Sequence, residues 1–201
     1  MAIKTFTTGE VLTAADTNTY LANSGLVYIA GATFSGITTG APLDVNSVFS
    51  STYTNYVLIL RTSQTVANGA FQLRMRTVAA QDASAGYDYG WGGSWVATGP
   101  TYNFGAYSST NPFAPDTSFW TGMAAANGYT ATSRIDIMSP NAARETRILG
   151  QGYTNYQGTY YNVALTGSGN LGSSTQYTGF RIFPVSGTSS GEYQLYGYRI
   201  A

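Results

Sequence analysis

The stretch Phe71-Gln72-Leu73-Arg74-Met75-Arg76-Thr77 alternates without a break: Phe71, Leu73, Met75 and Thr77 fall on one side, Gln72, Arg74 and Arg76 on the other. A period of two is that of extended chain, whose successive side chains leave opposite faces of a sheet. The stretch therefore reads as a strand with one face in a core and one face wet. Upstream, Tyr56-Val57-Leu58-Ile59-Leu60 is unbroken apolar chain of strand length, which predicts a strand covered on both faces at the centre of the core.

Outward from these two, period two continues from residue 26 in short segments rich in Val, Ile, Tyr, Phe and Thr. Strands are predicted around 25–34, 87–96, 119–125, 133–139, 145–150, 160–166, 178–185 and 192–200, giving about ten in all. Asn127-Gly128, Asn155 to Gly158 and Gly167 to Gly172 supply the residues that tolerate the positive φ of hairpins and loops. The chain reads as all-β, an antiparallel sandwich or barrel. Residues 81–115 carry many rings among Gly, Ala, Ser and Thr, and part of that segment is expected to be long loop. Residues 1–24 form a separate appendage: Thr13 as N-cap, Asp16 in the first turn and Gly25 past the end predict one short helix, too short to stand without docking on something. The domains are thus 1–24 and 25–201.

Composition closes off much chemistry. Charged residues are 9% of 201, and nine Lys and Arg balance nine Asp and Glu, so no field is available to hold nucleic acid. With no His and no Cys, imidazole chemistry, thiol nucleophiles, disulfides and zinc sites built on them are excluded. The fold does not depend on an oxidising compartment. No secretory leader is expected at the start, and no apolar run approaches the ~18 residues of a membrane span, so no membrane insertion is expected.

Two stretches resemble the tail-fibre and minor structural proteins of tailed bacteriophages. The opening, Phe6-Thr-Thr-Gly9-Glu10-Val-Leu12-Thr-Ala-Ala-Asp16-Thr-Asn18-Thr-Tyr-Leu21, is similar to the start of phage tail and fibre proteins that attach to the virion. The ending, Ser190-Gly191-Glu-Tyr-Gln-Leu195-Tyr196-Gly197-Tyr-Arg199, is similar to the last strand of jelly-roll domains in phage fibres and neck or tail appendages. The resemblance implies an antiparallel β-sandwich of jelly-roll type, a homotrimer, residence in the virion after assembly in the host cytoplasm and release by lysis, and contact with host-surface glycan. Through it, Phe6, Gly9, Leu12, Asp16, Asn18 and Leu21 become candidates for anchoring to other virion proteins.

Rings stack on the apolar faces of sugars while amides, acids and hydroxyls take their hydroxyl groups, so Tyr87, Asp88, Tyr89, Trp91, Trp95 and Tyr102 are the candidate glycan contacts. Tyr87, Tyr89 and Trp91 share one strand face and equally suit a core or a subunit interface. Trp95, beside Gly92-Gly93-Ser94, reads as a loop contact. Glycan hydrolysis needs two carboxylates about 5 to 9.5 Å apart, and no spacing singles out a pair; Asp136 and Glu145, near Arg144 and Arg147, read as ion-pair members. No catalytic residue, metal ligand or cofactor is assigned, since neither an Asp-x-Asp-x-Asp cluster nor a phosphate-cradling loop occurs. Arg74 and Arg76 read as ion pairs with acids of a neighbouring subunit, or as a small anion patch. The expected function is a non-enzymatic virion appendage; a purely structural head-fibre, decoration or collar protein and a glycan depolymerase are the alternatives.

Overall fold

The computed structural model describes residues 7–11, 13–16, 25–65, 70–77, 88–96, 102–108, 119–123, 130–156, 159–169 and 174–199, with side chains described at 7–11, 13–15, 25–63, 65, 71–77, 130–152 and 174–198. Its elements are α1 (Ala14–Asp16), β1 (Leu26–Ile37), β2 (Leu43–Val45), β3 (Tyr53–Gln64), β4 (Ala70–Arg76), β5 (Asp88–Val96), β6 (Tyr102–Ser108), β7 (Phe119–Met123), β8 (Thr130–Met138), β9 (Thr146–Tyr156), β10 (Thr159–Gly169), β11 (Gly179–Pro184) and β12 (Ser189–Arg199). The all-β reading holds, and the ladders are antiparallel. Of the helix expected after Thr13, a single turn is described; residues 17–24 lie outside the described residues.

The strands form an eight-stranded sheet, ordered β1-β12-β3-β8-β9-β10-β5-β6, and a four-stranded sheet, ordered β2-β11-β4-β7. Eight of them pair as one long hairpin doubled on itself: β1 with β12, β2 with β11, β3 with β8, and β4 with β7. The other four, the hairpins β5–β6 and β9–β10, widen the larger sheet beyond β8.

Alternation decides which residues hold the sheets together. Tyr56, Leu58 and Leu60 of β3 are buried on one face, as are Phe71, Leu73 and Met75 of β4, while Gln72, Arg74 and Arg76 are only half-buried. Phe34, Ile135, Ile137, Ile148, Tyr193 and Leu195 join the first group from the larger sheet, and Val45, Phe180 and Ile182 the second, in one cluster. Burying each such side chain contributes about 1.5–3 kcal/mol, so this shared cluster is the main stabilising feature. Phe34 stacks on Phe71 between the sheets with centroids 6.4 Å apart, and Phe49 meets Tyr56 edge-on at 4.7 Å. The buried Tyr56 hydroxyl is satisfied: it accepts from the Ser50 N–H at 2.8 Å and donates to the Ser50 carbonyl at 3.0 Å.

Coverage of β3 on both faces, expected from its unbroken apolar run, extends to Val57, which is 2% exposed on the side away from the core and flanked in register by Tyr196 and Asp136. Two strands depart from expectation. β2 is three residues long, too short to display a period, and β6 occupies part of the segment expected to be loop.

Candidate functional site

The alternation that sends Tyr56, Leu58 and Leu60 into the core sends Val57, Ile59, Arg61 and Ser63 to the outer face of the larger sheet. Beside them in register stand Tyr196, Gln194, Glu192 and Ser190 of β12, and Asp136, Arg134, Thr132 and Thr130 of β8. β1 joins this face through a bulge. Tyr28 pairs with Tyr196 but Ala30 pairs with Leu195, leaving Ile29 as the extra residue and switching the strand's faces at that point. Ile29 and Ala30 accordingly pack against the core, whereas Tyr28 is 58% exposed outside it. The Tyr28 ring meets Tyr196 edge-on at 5.7 Å and reaches over Gly31, where a Cβ would lie 2.8 Å from the tyrosine hydroxyl. Leu26 and Tyr198, opposite each other, are also exposed, and Leu149 of β9 continues the apolar row beyond Asp136.

Polar groups frame these rings. The Tyr196 hydroxyl donates to Gln194 Oε1 at 2.7 Å, and Arg134 reaches Asp136 at 3.3 Å and the Tyr198 hydroxyl at 3.5 Å. Farther along the same strands Arg61 pairs with Glu192 at 3.7 Å beside a shallow depression of roughly 180 Å³ that Ser63, Thr130 and Ser190 also line. From Tyr198 to Ser190 the face runs about 27 Å at ~3.4 Å per strand residue. Each arginine on it has its acid beside it, so the charges cancel locally.

The outer face of the smaller sheet is built differently. Asp44 of β2 sits opposite Arg181 of β11, which sits opposite Arg74 of β4. Arg181 donates to Asp44 twice, at 2.5 and 2.6 Å, and Arg76 reaches the same carboxylate at 2.9 Å and Asn46 Oδ1 at 3.0 Å. The hydrogen bonds from Arg181 hold the Asp44 carboxyl below its ordinary pKa against the opposing effect of burial, and the Arg181 and Arg76 charges add to the lowering. The Arg74 guanidinium lies 4.9 Å from the centre of the Phe183 ring. Arg76 therefore finds its acid within the chain; the reading that Arg74 and Arg76 await a neighbour's acids is corrected for Arg76, because β2, unseen as a strand, brings Asp44 to it. Arg147 pairs with Glu145 at 3.4 Å, so both acids read as ion-pair members, Asp136 and Glu145, are in such pairs.

Of the candidate glycan contacts, Asp88 opens β5, Tyr89, Trp91 and Trp95 lie within it, and Tyr102 opens β6. Tyr87 lies outside the described residues, as do the side chains of the other five. Trp95, expected on a loop, is in mid-sheet, paired with Tyr161 and Asn103, because Gly92 and Gly93 also pair with their neighbours and continue the ladder. The register carries Trp91 through Leu165 and Gly150 to Ile135, and Asp88 through Ser168 and Arg147 to Met138. Among the anchoring candidates, Gly9 has φ +89° in a turn closed by the Glu10 N–H to the Thr7 carbonyl at 3.0 Å and by the Thr7 N–H to Glu10 Oε2 at 3.1 Å. Asp16 ends α1, with its side chain outside the described ones; Phe6, Leu12, Asn18 and Leu21 lie outside the described residues.

Among the described residues, no group of three acids, histidines or cysteines is placed to hold a metal ion, and no helix is long and apolar enough to cross a membrane. No protein-family model matches the chain, and no curated protein matches it. The tyrosine-lined outer face escaped sequence reasoning because strict alternation puts Tyr28 with Ala30, Ala32 and Phe34; the exposure of Tyr28 depends on the bulge.

Proposed function

We propose that this chain is a structural protein of a tailed-phage virion: a trimeric appendage subunit, built on a jelly roll, that meets host-surface polysaccharide and catalyses nothing. The observation that carries this reading is the strand order. Numbered without their two inserted hairpins, the eight strands of the doubled hairpin pair first with last, second with seventh, third with sixth and fourth with fifth, and divide into β1-β12-β3-β8 and β2-β11-β4-β7. This order supports the jelly-roll reading, an architecture recurrent in viral structural and sugar-binding domains. The likeness of the opening and closing stretches to phage fibre proteins adds the virion, and the low charge and abundant hydroxyls suit contact with sugars. The absence of an enzymatic role is supported by Asp44, Asp136, Glu145 and Glu192, whose carboxylates each face arginine.

Threefold display converts weak single contacts into useful avidity. The deciding measurement is the solution mass of the full-length chain by light scattering. A trimer, about three times 21.3 kDa, is expected; a stable monomer would sink the trimeric fibre and favour a decoration subunit. Residues 7–11 and 13–15 are exposed and add nothing to the core, so deleting residues 1–24 is expected to leave a folded domain that no longer enters particles. Normal incorporation of the truncated chain would overturn the anchoring role.

A further inference from the structure

We propose that the outer face of β1-β12-β3-β8 is itself a saccharide platform, on which Tyr28, Tyr196 and Tyr198 stack against pyranose rings of an uncharged polysaccharide while the Arg61–Glu192 depression takes hydroxyls of the same polymer. The inference rests on the polysaccharide reading above and puts the contact on the sheet face, away from residues 87–102.

Three observations fix the occupant's chemistry. Tyr28 and Tyr198 expose ring surface from a rigid sheet, so little conformational freedom is lost when a sugar packs on them. The polar groups around them, the Gln194 amide, the Tyr198 hydroxyl and the Arg134–Asp136 pair, are both donors and acceptors, as sugar hydroxyls require. Finally, Arg134 with Asp136 and Arg61 with Glu192 leave the face without net charge, which favours neither an anionic nor a cationic polymer.

A second copy of the chain is the competing occupant. Side chains of Arg134, Arg61 and Glu192 are 54%, 58% and 46% exposed, whereas the centre of a stable subunit interface is depleted of charge. The same exposure suits a wet sugar contact.

The test is affinity electrophoresis of the full-length protein through gels containing dextran, mannan or arabinogalactan, with polygalacturonate as the anionic probe. Wild-type protein is expected to be retarded by at least one neutral polymer. Tyr28→Ala and Tyr198→Ala should each weaken that retardation roughly three- to tenfold, while Tyr198→Phe, which keeps the ring and loses only the hydroxyl, should weaken it less than Tyr198→Ala. Both rings are exposed, so the alanine variants should keep the wild-type melting temperature. Absence of retardation in every neutral gel, retardation by polygalacturonate alone, or equal retardation of the alanine variants would each overturn the platform. A lower solution mass for Tyr28→Ala would also overturn it, in favour of a second copy as the occupant. A monomeric wild type that is still retarded would keep the platform and sink the trimeric appendage; a trimer that no polymer retards would do the reverse.

Discussion

Replacing Asp44 with alanine removes the carboxylate that three donors share on the smaller sheet, leaving Arg181 and Arg76 side by side without it. An exposed ion pair contributes about 0–1 kcal/mol, whereas stripping one partner from a buried pair costs about 3–5 kcal/mol. The cluster lies between these limits: side-chain exposure is 29% for Asp44, 21% for Arg181 and 11% for Arg76. Two of its contacts are a bidentate fork, the stronger geometry. The expected loss is therefore about 2–3 kcal/mol, a fall of roughly 5–10 °C in melting temperature for a chain of this size. β2 magnifies the effect, since it holds to β11 through only three register pairs and the carboxylate lies on the middle one.

The same cluster predicts a pH dependence. The carboxyl is held below the ordinary value of about 3.9, so its contribution to stability is present above that value and disappears as pH falls through its lower folded value. Urea unfolding followed by tryptophan fluorescence, at neutral pH and again near pH 3, should show the gap between wild type and Asp44→Ala narrowing on the acid side. A cost under about 1 kcal/mol at neutral pH, or a gap that does not narrow with acid, would refute the argument that these bonds hold the edge of the smaller sheet.

Two further substitutions probe the core and the spacing of the larger sheet. Tyr56→Phe leaves the Ser50 N–H and carbonyl without their buried partner and should cost about 1–2 kcal/mol in chemical denaturation; an unchanged midpoint would mean that water replaces the hydroxyl. Gly191→Ala would set a Cβ 2.0 Å from the Arg61 carbonyl and 3.0 Å from the Phe34 ring, so β12 must move from β3 at a cost of at least about 2 kcal/mol, readable by differential scanning calorimetry; a wild-type midpoint would show that the strands yield without strain.

How much of this was legible in the sequence depended on length and period. β3 and β4 carry seven or more residues each, and their apolar patterns gave both strand and facing correctly: Phe71, Leu73 and Met75 are buried and Gln72, Arg74 and Arg76 are not. β2, with three residues, holds too few side chains to display a period, so the partner of Arg76 stayed hidden with it. β6 was obscured by the Gly-rich surroundings that normally signal loop, although a glycine, which weakens a strand on its own, still pairs in a ladder once neighbouring strands fix its backbone. The platform was least legible. Its tyrosines alternate as core residues would, and one residue of bulge at Ile29 separates Tyr28 from the core-facing row of Ala30 and Phe34.

The topology gives both proposed sugar-contact regions the same support. The β9–β10 and β5–β6 hairpins extend the sheet that carries Tyr28, Tyr196 and Tyr198, rather than the smaller one. Five strand spacings separate β12 from β5, about 24 Å at ~4.8 Å each. Side chains so far apart share no contacts and contribute independently to stability. In register, however, Trp91 lines up with core-facing Ile135 rather than with the outer row of Tyr196 and Asp136, so the two regions are alternative contacts and not one continuous track. Charge has little part in such binding: the arginines on the described outer faces at Arg61, Arg76, Arg134 and Arg181 face acids of the same chain, so salt that screens exposed charges should leave it largely intact. On the proposed reading, contact with an uncharged polymer through rings and hydroxyls is thus expected to vary little with salt, and retardation in neutral-polymer gels that falls steeply between low and high salt would count against it.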